Sequence, residues 1–118
     1  MITIQIDEGK ALDMLMDRVR EWRNDATTLE LFEKMYQNYI DSGCFEGCEF
    51  DVNSIVDNDV INWCSVIELE DKNKRDFKKL LKMYSDGERD FSCEHLKTIS
   101  GSYIEAVSDD ETSILIRD

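Results

Sequence analysis

The chain has 118 residues with 27 acidic and 14 basic side chains, and its net charge of −13 disfavours binding to phosphate backbones and to anionic membranes. Its 42% hydrophobic content, the absence of proline and only five glycines favour a folded domain of helices with short connections over disorder or a loop-rich β fold. No apolar run approaches the length of about 18 residues that spans a bilayer, and the start is too short and too quickly acidic for a signal peptide.

The N-terminal residues predict a strand followed by a helix. Ile2, Ile4 and Ile6 alternate with polar residues, which is typical of a short strand with one apolar face. Asp7 is then placed as an N-cap. Apolar side chains at helical spacing from Ala11 to Trp22 predict a first helix with one stripe facing a core.

A second helix is predicted by its ends as well as by its apolar stripe. Thr27 and Glu30 have the spacing of a capping box at the start of the helix. The apolar residues from Leu31 to Ile40 recur at helical spacing, and Gly43 is placed to end the helix as its C′ residue.

The middle of the chain allows two structures. Residues 44–50 form a predicted loop, after which apolar residues from Val52 to Ile67 again recur at helical spacing. The Val and Ile content also allows a break near residues 57–59, with Trp63 to Leu69 extended.

The C-terminal residues predict a β-hairpin. Tyr103 to Val107 and Thr112 to Arg117 flank the polar turn Ser108-Asp-Asp-Glu111. We expect Ile114 and Ile116 to share a face that joins the N-terminal strand. The predicted fold is therefore a single α+β domain over residues 1–118, in which about three antiparallel strands, the N-terminal strand and the C-terminal hairpin, carry three to four helices on one face.

Charge is distributed unevenly along the chain. The 31 residues from Asp41 to Asp71, called the acidic block below, hold nine carboxylates and no Lys or Arg. The next eleven, from Lys72 to Lys82, hold six cations and one acid, in a helix predicted from about Lys72 to Tyr84 that ends at Asp86-Gly87. The simplest role of this basic run is to neutralise the acidic block, within the domain or across a dimer.

Three of the four cysteines and the only histidine could form a metal site. Cys44, Cys48, Cys93 and His95 would supply three thiolates and an imidazole, which is a zinc set by residue type. Neither the Cys44–Cys48 nor the Cys93–His95 spacing matches that of common zinc knuckles. Reduced thiols that act as small apolar residues, with Cys64 packed in a helix core, are the simpler interpretation, and no metal is predicted.

No pattern of catalytic residues is found. Asp57-Asn58-Asp59 does not continue as a calcium loop, and a hairpin turn explains Asp109-Asp110-Glu111. A thiol nucleophile with His95 as its base lacks a family motif, and the chain has no glycine-rich phosphate loop or nucleophile elbow. The sequence therefore predicts a protein that is not an enzyme and needs no cofactor.

The acidic block has a structural and a functional interpretation. It could be a solvated surface that keeps a small protein soluble. Alternatively, its carboxylates imitate a row of phosphates and enter a groove lined by Lys and Arg, with exposed aromatic residues such as Phe45 and Phe50 as apolar anchors. The predicted partner-binding residues are Phe45, Glu46, Glu49, Asp51, Asp57, Asp59, Glu68, Glu70 and Asp71.

The chain resembles the small acidic proteins that bacteriophages and mobile elements encode against host defence, namely anti-CRISPR and DNA-mimicking antirestriction proteins. The resemblance is one of type: a short, acidic, proline-free α+β chain without a catalytic motif. Cys44-Phe-Glu-Gly-Cys48-Glu-Phe-Asp51 and Val56-Asp-Asn-Asp-Val60 are similar to runs in phage proteins. The resemblance implies binding to an effector nuclease where that nuclease holds DNA or guide RNA.

The expected function is therefore inhibition of a basic, nucleic-acid-handling protein, such as a CRISPR effector or a restriction enzyme, by competition with nucleic acid. The expected location is the cytoplasm, that of a bacterial host if the chain is phage-encoded, with no direct contact to nucleic acid or membrane. Two alternatives remain open. The acidic face could meet the Lys72–Lys82 helix of another copy in a self-associating protein, or the Cys and His residues could serve a small metal-binding regulator.

Overall fold

The computed structural model describes residues 8–45, 50–71, 74–92, 94, 96–97, 99 and 101–118. Its backbone contacts divide the chain into two compact units, Met1–Asn62 (unit 1) and Trp63–Asp118 (unit 2). Unit 1 is helical, and unit 2 contains a three-stranded antiparallel sheet with one helix. The α+β class is confirmed, while a single domain over residues 1–118 stays a prediction.

Two helices, α1 (Glu8–Trp22) and α2 (Ala26–Asp41), pack against each other in unit 1. The N-cap of α2 is Asp25, whose carboxylate accepts a hydrogen bond from the Thr28 backbone N–H at 3.0 Å. The predicted capping box with Thr27 at the start is therefore wrong, because the helix begins at Ala26, two residues earlier than predicted, with Asp25 capping its first turn. Gly43 follows the helix with a φ of 77°, as predicted for its C′ residue.

The core of unit 1 is aliphatic and aromatic. Its aromatic rings form a continuous chain of contacts, with centroids 5.6 to 6.3 Å apart, that begins at Trp22 of α1 and runs through α2 to Phe50; four are edge contacts, and the Phe32–Tyr36 pair is tilted. Trp22 itself is exposed, which differs from its predicted place on the core stripe. The buried apolar residues are Ala11, Leu15, Met16, Val19, Leu31, Phe32, Met35, Tyr36, Ile40, Phe50, Val56 and Val60.

A short third helix, α3 (Val52–Asp57), starts after the N-cap Asp51 and continues into a π-helical segment, Asn58–Trp63. The chain then becomes extended as β1 (Cys64–Glu68). Of the two structures that the Val and Ile content allows, the one with an extended segment after residue 63 is confirmed. Cys64 consequently lies half-buried on a strand, and the prediction that it packs in a helix core is wrong.

The sheet of unit 2 has the strand order β1-β3-β2, with β2 at Tyr103–Val107 and β3 at Ser113–Arg117. The predicted hairpin is confirmed as β2 and β3. Its third strand is β1, paired so that Ile67 lies opposite Ile114. The predicted strand at Ile2–Ile6 lies outside the described residues. Since β3 is paired on both edges, β1 has the position beside it that the sequence had assigned to the N-terminal strand.

The last helix, α4 (Lys74–Ser85), packs on the sheet of its own unit through an apolar face. It ends as predicted, with Gly87 at a φ of 89°. The buried cluster that joins helix and sheet consists of Ile67, Phe77, Leu80, Phe91, Leu96, Ile99, Ile104, Val107, Ile114 and Ile116. Among the described residues, no helix has both the length and the apolar content needed to cross a bilayer.

Candidate acidic interface

Unit 1 carries most of the net charge of the chain. It has 14 Asp and Glu residues against five Lys and Arg, a net charge of −9. Four of its five cations form ion pairs with carboxylates of the same unit. These pairs are Arg18–Glu21 and Arg18–Asp57, Arg20–Asp17, Arg23–Asp25 and Lys34–Glu30. The cations of unit 1 are thus largely neutralised, while many of its carboxylates stay exposed.

Asp57 belongs to this paired set. Its carboxylate accepts a hydrogen bond from the Arg18 guanidinium at 2.6 Å, which ties α3 to α1. Arg18 also donates to Glu21 at 3.1 Å, so that one guanidinium serves two carboxylates. The charge of Asp57 is therefore partly neutralised inside unit 1, although the side chain remains half exposed.

Asp59 has a structural position within unit 1. It is 9% exposed, and its carboxylate accepts a hydrogen bond from the Tyr36 hydroxyl at 3.0 Å. A buried carboxylate must be compensated by such donors. A helical fold through residues 58–63 turns Asp59 inward, and the alternation of acids in Asp57-Asn58-Asp59 gives no sign of this. Asp59 is therefore not one of the exposed carboxylates of the acidic block.

Asp51 is exposed and held in place by its own helix. As the N-cap of α3 it accepts hydrogen bonds from the Ser54 backbone N–H at 3.2 Å and from the Ser54 hydroxyl at 3.1 Å. These bonds fix the direction of the carboxylate and leave its charge uncompensated. Asp51 is therefore suited both to starting the helix and to meeting a cation of another molecule.

The aromatic residues that were expected as exposed anchors are more buried than expected. Phe45 is half-buried and makes edge contacts with Tyr39, at 6.3 Å between centroids, and with Phe50, at 5.6 Å. Phe50 is only 8% exposed, so the expectation that it is a surface anchor is wrong. Glu46 and Glu49, between these rings in sequence, lie outside the described residues.

The remaining members of the acidic block lie in unit 2, at the end of β1. Glu68 is the last residue of the strand, and the turn that follows holds Glu70 and Asp71, all three exposed. The Asp71 carboxylate accepts a hydrogen bond from the Glu68 backbone N–H at 2.9 Å. As with Asp51, the turn orients this carboxylate and leaves it accessible. The predicted partner-binding residues are thus divided between the two units.

Helix α4 is the basic counterpart of this block. Its described cations are all exposed and point away from the buried face that carries Phe77 and Leu80. They are Lys74, Arg75, Lys78, Lys79 and Lys82. Among the described residues, none of these cations has a carboxylate within 4 Å. The expected ion pairs between α4 and the acidic block are therefore absent from this part of the chain.

Only part of the candidate cysteine–histidine metal site lies among the described residues. Cys44 is exposed with a free thiol, whereas Cys48, Cys93 and His95 lie outside the described residues. In the part of the chain that the structure describes, no three Cys, His, Asp or Glu side chains are grouped closely enough to hold a metal ion.

The Asp109–Glu111 turn uses its central carboxylate to close the hairpin. Asp110 accepts hydrogen bonds from the hydroxyls of Ser108 and Thr112, both at 2.7 Å. These bonds, that of Thr112 foremost, hold the pKa of Asp110 below its ordinary value. The turn interpretation therefore accounts for this acidic run.

Two buried acids were not anticipated. Glu105 lies at an irregularity in the β2–β3 register, is 6% exposed and accepts a hydrogen bond from Arg117 at 2.7 Å. Asp76 is buried near the start of α4. In the sequence, the burial of Glu105 is indicated only by its place as the one charged residue in the strand Tyr103-Ile-Glu-Ala-Val107.

Comparisons of the chain with protein-family models, with curated proteins and with solved structures found no match. The function is therefore argued from the chemistry of this chain's own residues.

Proposed function

We propose that this chain is a non-enzymatic inhibitor that binds a basic, nucleic-acid-handling protein, such as a CRISPR effector or a restriction enzyme, in the cytoplasm. The exposed carboxylates of the acidic block would occupy a groove in which the partner holds nucleic acid. The observation that carries the proposal is the exposure of four block carboxylates that, among the described residues, have no cation within 4 Å. They are Asp41, Asp51, Glu70 and Asp71.

The orientation of these carboxylates supports the proposal. Asp51 accepts a hydrogen bond from the Ser54 backbone N–H, Asp71 accepts one from the Glu68 backbone N–H, and Asp41 accepts one from Gln37 at 2.8 Å. A carboxylate that is already oriented loses less conformational entropy when a Lys or Arg binds it. Carboxylates that enter a basic groove also displace its counterions, as nucleic acid does.

The proposed mechanism is competition and requires no cofactor or bond-breaking step. Long-range attraction between a chain of charge −13 and a basic groove accelerates encounter. Exposed ion pairs contribute only about 0.2–1 kcal/mol each, so affinity comes from the whole set. Any single carboxylate of the block should matter little.

The first experiment is capture of partners with the tagged chain from a bacterial lysate that contains CRISPR and restriction systems, washed at low and then at high salt. We expect a basic nuclease that is retained at low salt and released at high salt, because salt screens this attraction. In an assay with the purified nuclease, the chain should slow DNA cleavage, and excess DNA should restore it. Recovery of the chain alone would contradict the proposal.

A pair of matched variants tests whether the acidic block is the binding surface. Asp41→Lys with Glu70→Lys reverses two exposed block charges, one in each unit. Glu33→Lys with Glu88→Lys makes the same change of charge at two exposed positions outside the block, again one in each unit. We expect the block variant to weaken inhibition by about tenfold and the control to weaken it much less. Equal effects would assign binding to net charge and remove the block from the proposal.

A further inference from the structure

The exposed face of α4 holds the largest group of unpaired positive charge among the described residues. Its five cations span nine positions of the helix, opposite the buried side chains of Phe77 and Leu80. Three of them, Lys74, Lys78 and Lys82, recur every four residues. Side chains at this spacing lie above one another, about 6 Å apart along the helix axis. We call this row the basic stripe.

Helix α1 carries an acidic row of the same length. Asp13, Asp17 and Glu21 also recur every four residues, and they lie opposite the buried residues Leu15 and Val19. Each row spans two intervals of about 6 Å along its axis, and therefore about 12 Å in total. We call this second row the acidic stripe.

The acidic stripe is accessible although two of its members have local partners. Asp17 pairs with Arg20 and Glu21 with Arg18, yet their side chains remain 77% and 67% exposed. Asp13 is exposed and, among the described residues, has no cation within 4 Å. All three carboxylates can therefore accept a further cation.

We propose that the basic stripe of α4 binds the acidic stripe of α1 in a second copy of the chain. The two rows have opposite charge, equal number and equal spacing, so that three ion pairs form at once when the helices lie side by side. Because the spacing is regular, the charges match with the helices either parallel or antiparallel.

A second copy fits this surface better than nucleic acid does. The net charge of −13 repels a phosphate backbone and a second copy alike, so the overall field does not decide between them. Unit 1 of another copy, with a net charge of −9, presents a short row of three acids that matches the three lysines. This contact is independent of the proposed inhibition, since it uses neither Asp41 nor Glu70.

The proposal predicts weak, salt-dependent self-association of the full chain. Three exposed ion pairs of about 0.2–1 kcal/mol each supply at most about 3 kcal/mol, so we expect dimers or larger species only at a protein concentration on the order of 5 mM. Sedimentation should show that they dissociate between about 0.05 M and 1 M salt, where the screening length falls to about 3 Å. A chain that shows no dimer at about 5 mM in low salt would overturn the proposal.

A charge-swap experiment identifies the two rows. Lys74→Glu, Lys78→Glu and Lys82→Glu together should weaken self-association by at least about tenfold. Lysine at Asp13, Asp17 and Glu21 together should weaken it equally. Neither variant should associate alone, but an equal mixture should, because each then supplies the row that the other lacks. Failure of the mixture to associate, with both variants folded by circular dichroism, would overturn the pairing.

Two further measurements separate the alternatives. Arg75→Glu, Lys79→Glu and Lys97→Glu make the same change of charge away from the basic stripe, and we expect them to weaken association less. If they weaken it as much as the stripe variant, the assignment to Lys74, Lys78 and Lys82 is wrong. Titration of a fluorescent DNA duplex with the wild-type chain should show no binding at low salt. Binding that the basic-stripe variant abolishes would assign the surface to nucleic acid and overturn the proposal.

Discussion

Unit 1 and unit 2 use their cations differently. In unit 1, four of five cations are joined to carboxylates of the same unit, and Arg18 links α1 to α3 in this way. In unit 2, five of nine cations lie exposed on α4 without an ion-pair partner among the described residues. The net charges are −9 and −4, respectively. The surfaces available for binding therefore follow from the pairing of charges as much as from their number.

Ion pairs do not explain the stability of either unit. Exposed pairs contribute about 0.2–1 kcal/mol each, whereas a fully buried leucine contributes several times as much. Both units bury such residues, unit 1 between α1 and α2 and unit 2 between α4 and the sheet. The two units therefore differ in surface chemistry while sharing one source of stability, and this can be tested with matched substitutions.

The largest effects are expected from one fully buried leucine in each unit. Leu31 of α2 and Leu80 of α4 are both 0% exposed. Leu31→Ala and Leu80→Ala should each lower the free energy of unfolding by about 3–5 kcal/mol, through lost burial and the cavity that remains. We expect each substitution to reduce amide protection mainly in its own unit.

The two tryptophans give each unit its own optical probe. Trp22 lies in unit 1 and Trp63 in unit 2, and both are partly exposed. Trp63→Phe leaves a reporter of unit 1, and Trp22→Phe leaves a reporter of unit 2. Urea unfolding of Leu31→Ala and Leu80→Ala in both backgrounds then shows which unit is destabilised. If the Trp22 and Trp63 probes report the same unfolding transition for both leucine substitutions, the two units do not unfold separately. That result would favour the single domain that the sequence predicts.

A smaller loss of stability is expected from a substitution at Gly101 of unit 2, which packs against a buried aromatic ring. A Cβ at Gly101 would lie 2.6 Å from Cζ and 3.0 Å from Cε2 of Phe91, a buried member of the core. Gly101→Ala should therefore cost about 1–3 kcal/mol by forcing Phe91 to move. Differential scanning calorimetry of the variant measures this cost.

Matched controls come from the glycines that end α2 and α4. Gly43 and Gly87 have φ values of 77° and 89°, and a Cβ at Gly87 would meet no atom within 4 Å. Alanine at Gly87 should cost about 1–2 kcal/mol through backbone strain alone, and alanine at Gly43 should cost at least as much. A Gly101→Ala variant as stable as wild type would show that Phe91 adjusts freely, contrary to close packing at this point.

The sequence predicted the local elements better than their partners. The ends of α2 and α4 follow from Gly43 and Gly87, and the hairpin follows from two apolar runs around a polar turn. These signals lie within a few residues of the element they define. The pairing of β1 with β3 joins residues about 50 positions apart, and no local pattern selects β1 over another short apolar segment.

The candidate site shows the same limit. The acidic block is evident in sequence as a charge run, but the burial of Asp59 depends on the Tyr36 hydroxyl, 23 residues away. The pairing of Asp57 depends on Arg18, which lies 39 residues away. The acidic stripe of α1 has a local signal, its four-residue spacing, which can be found from sequence once the helix is assigned.

The smallest change in stability is expected from one carboxylate in each unit, Asp25 and Asp110, and it should depend on pH. Asp25 starts α2, and although burial raises its pKa, hydrogen bonds from Thr28 and the charge of Arg23 outweigh this and leave the pKa below its ordinary value of 3.8. Hydrogen bonds from Thr112 and Ser108 lower the pKa of Asp110 in the hairpin turn. In both cases the folded chain binds a proton less readily than the unfolded chain does.

This sign fixes the direction of the pH dependence. Above about pH 5 both carboxylates are ionised in either state, and their stabilising effect is fully present. As pH falls below 3.8 the unfolded chain takes up protons first, and the effect is lost once the folded pKa is passed. Asp25→Asn and Asp110→Asn should therefore lower stability at pH 7, and their difference from wild type should shrink towards pH 2.

Urea unfolding between pH 7 and pH 2, followed through Trp22 or Trp63, measures this difference for each unit. Asp25→Asn should act on the unit 1 probe and Asp110→Asn on the unit 2 probe, since each carboxylate is bonded within its own unit. Asp13→Asn is the control, because that exposed side chain accepts no hydrogen bond among the described residues. A difference from wild type that grows as the pH falls would reverse the assigned pKa direction, and with it the assignment of the two carboxylates as acceptors that stabilise the fold.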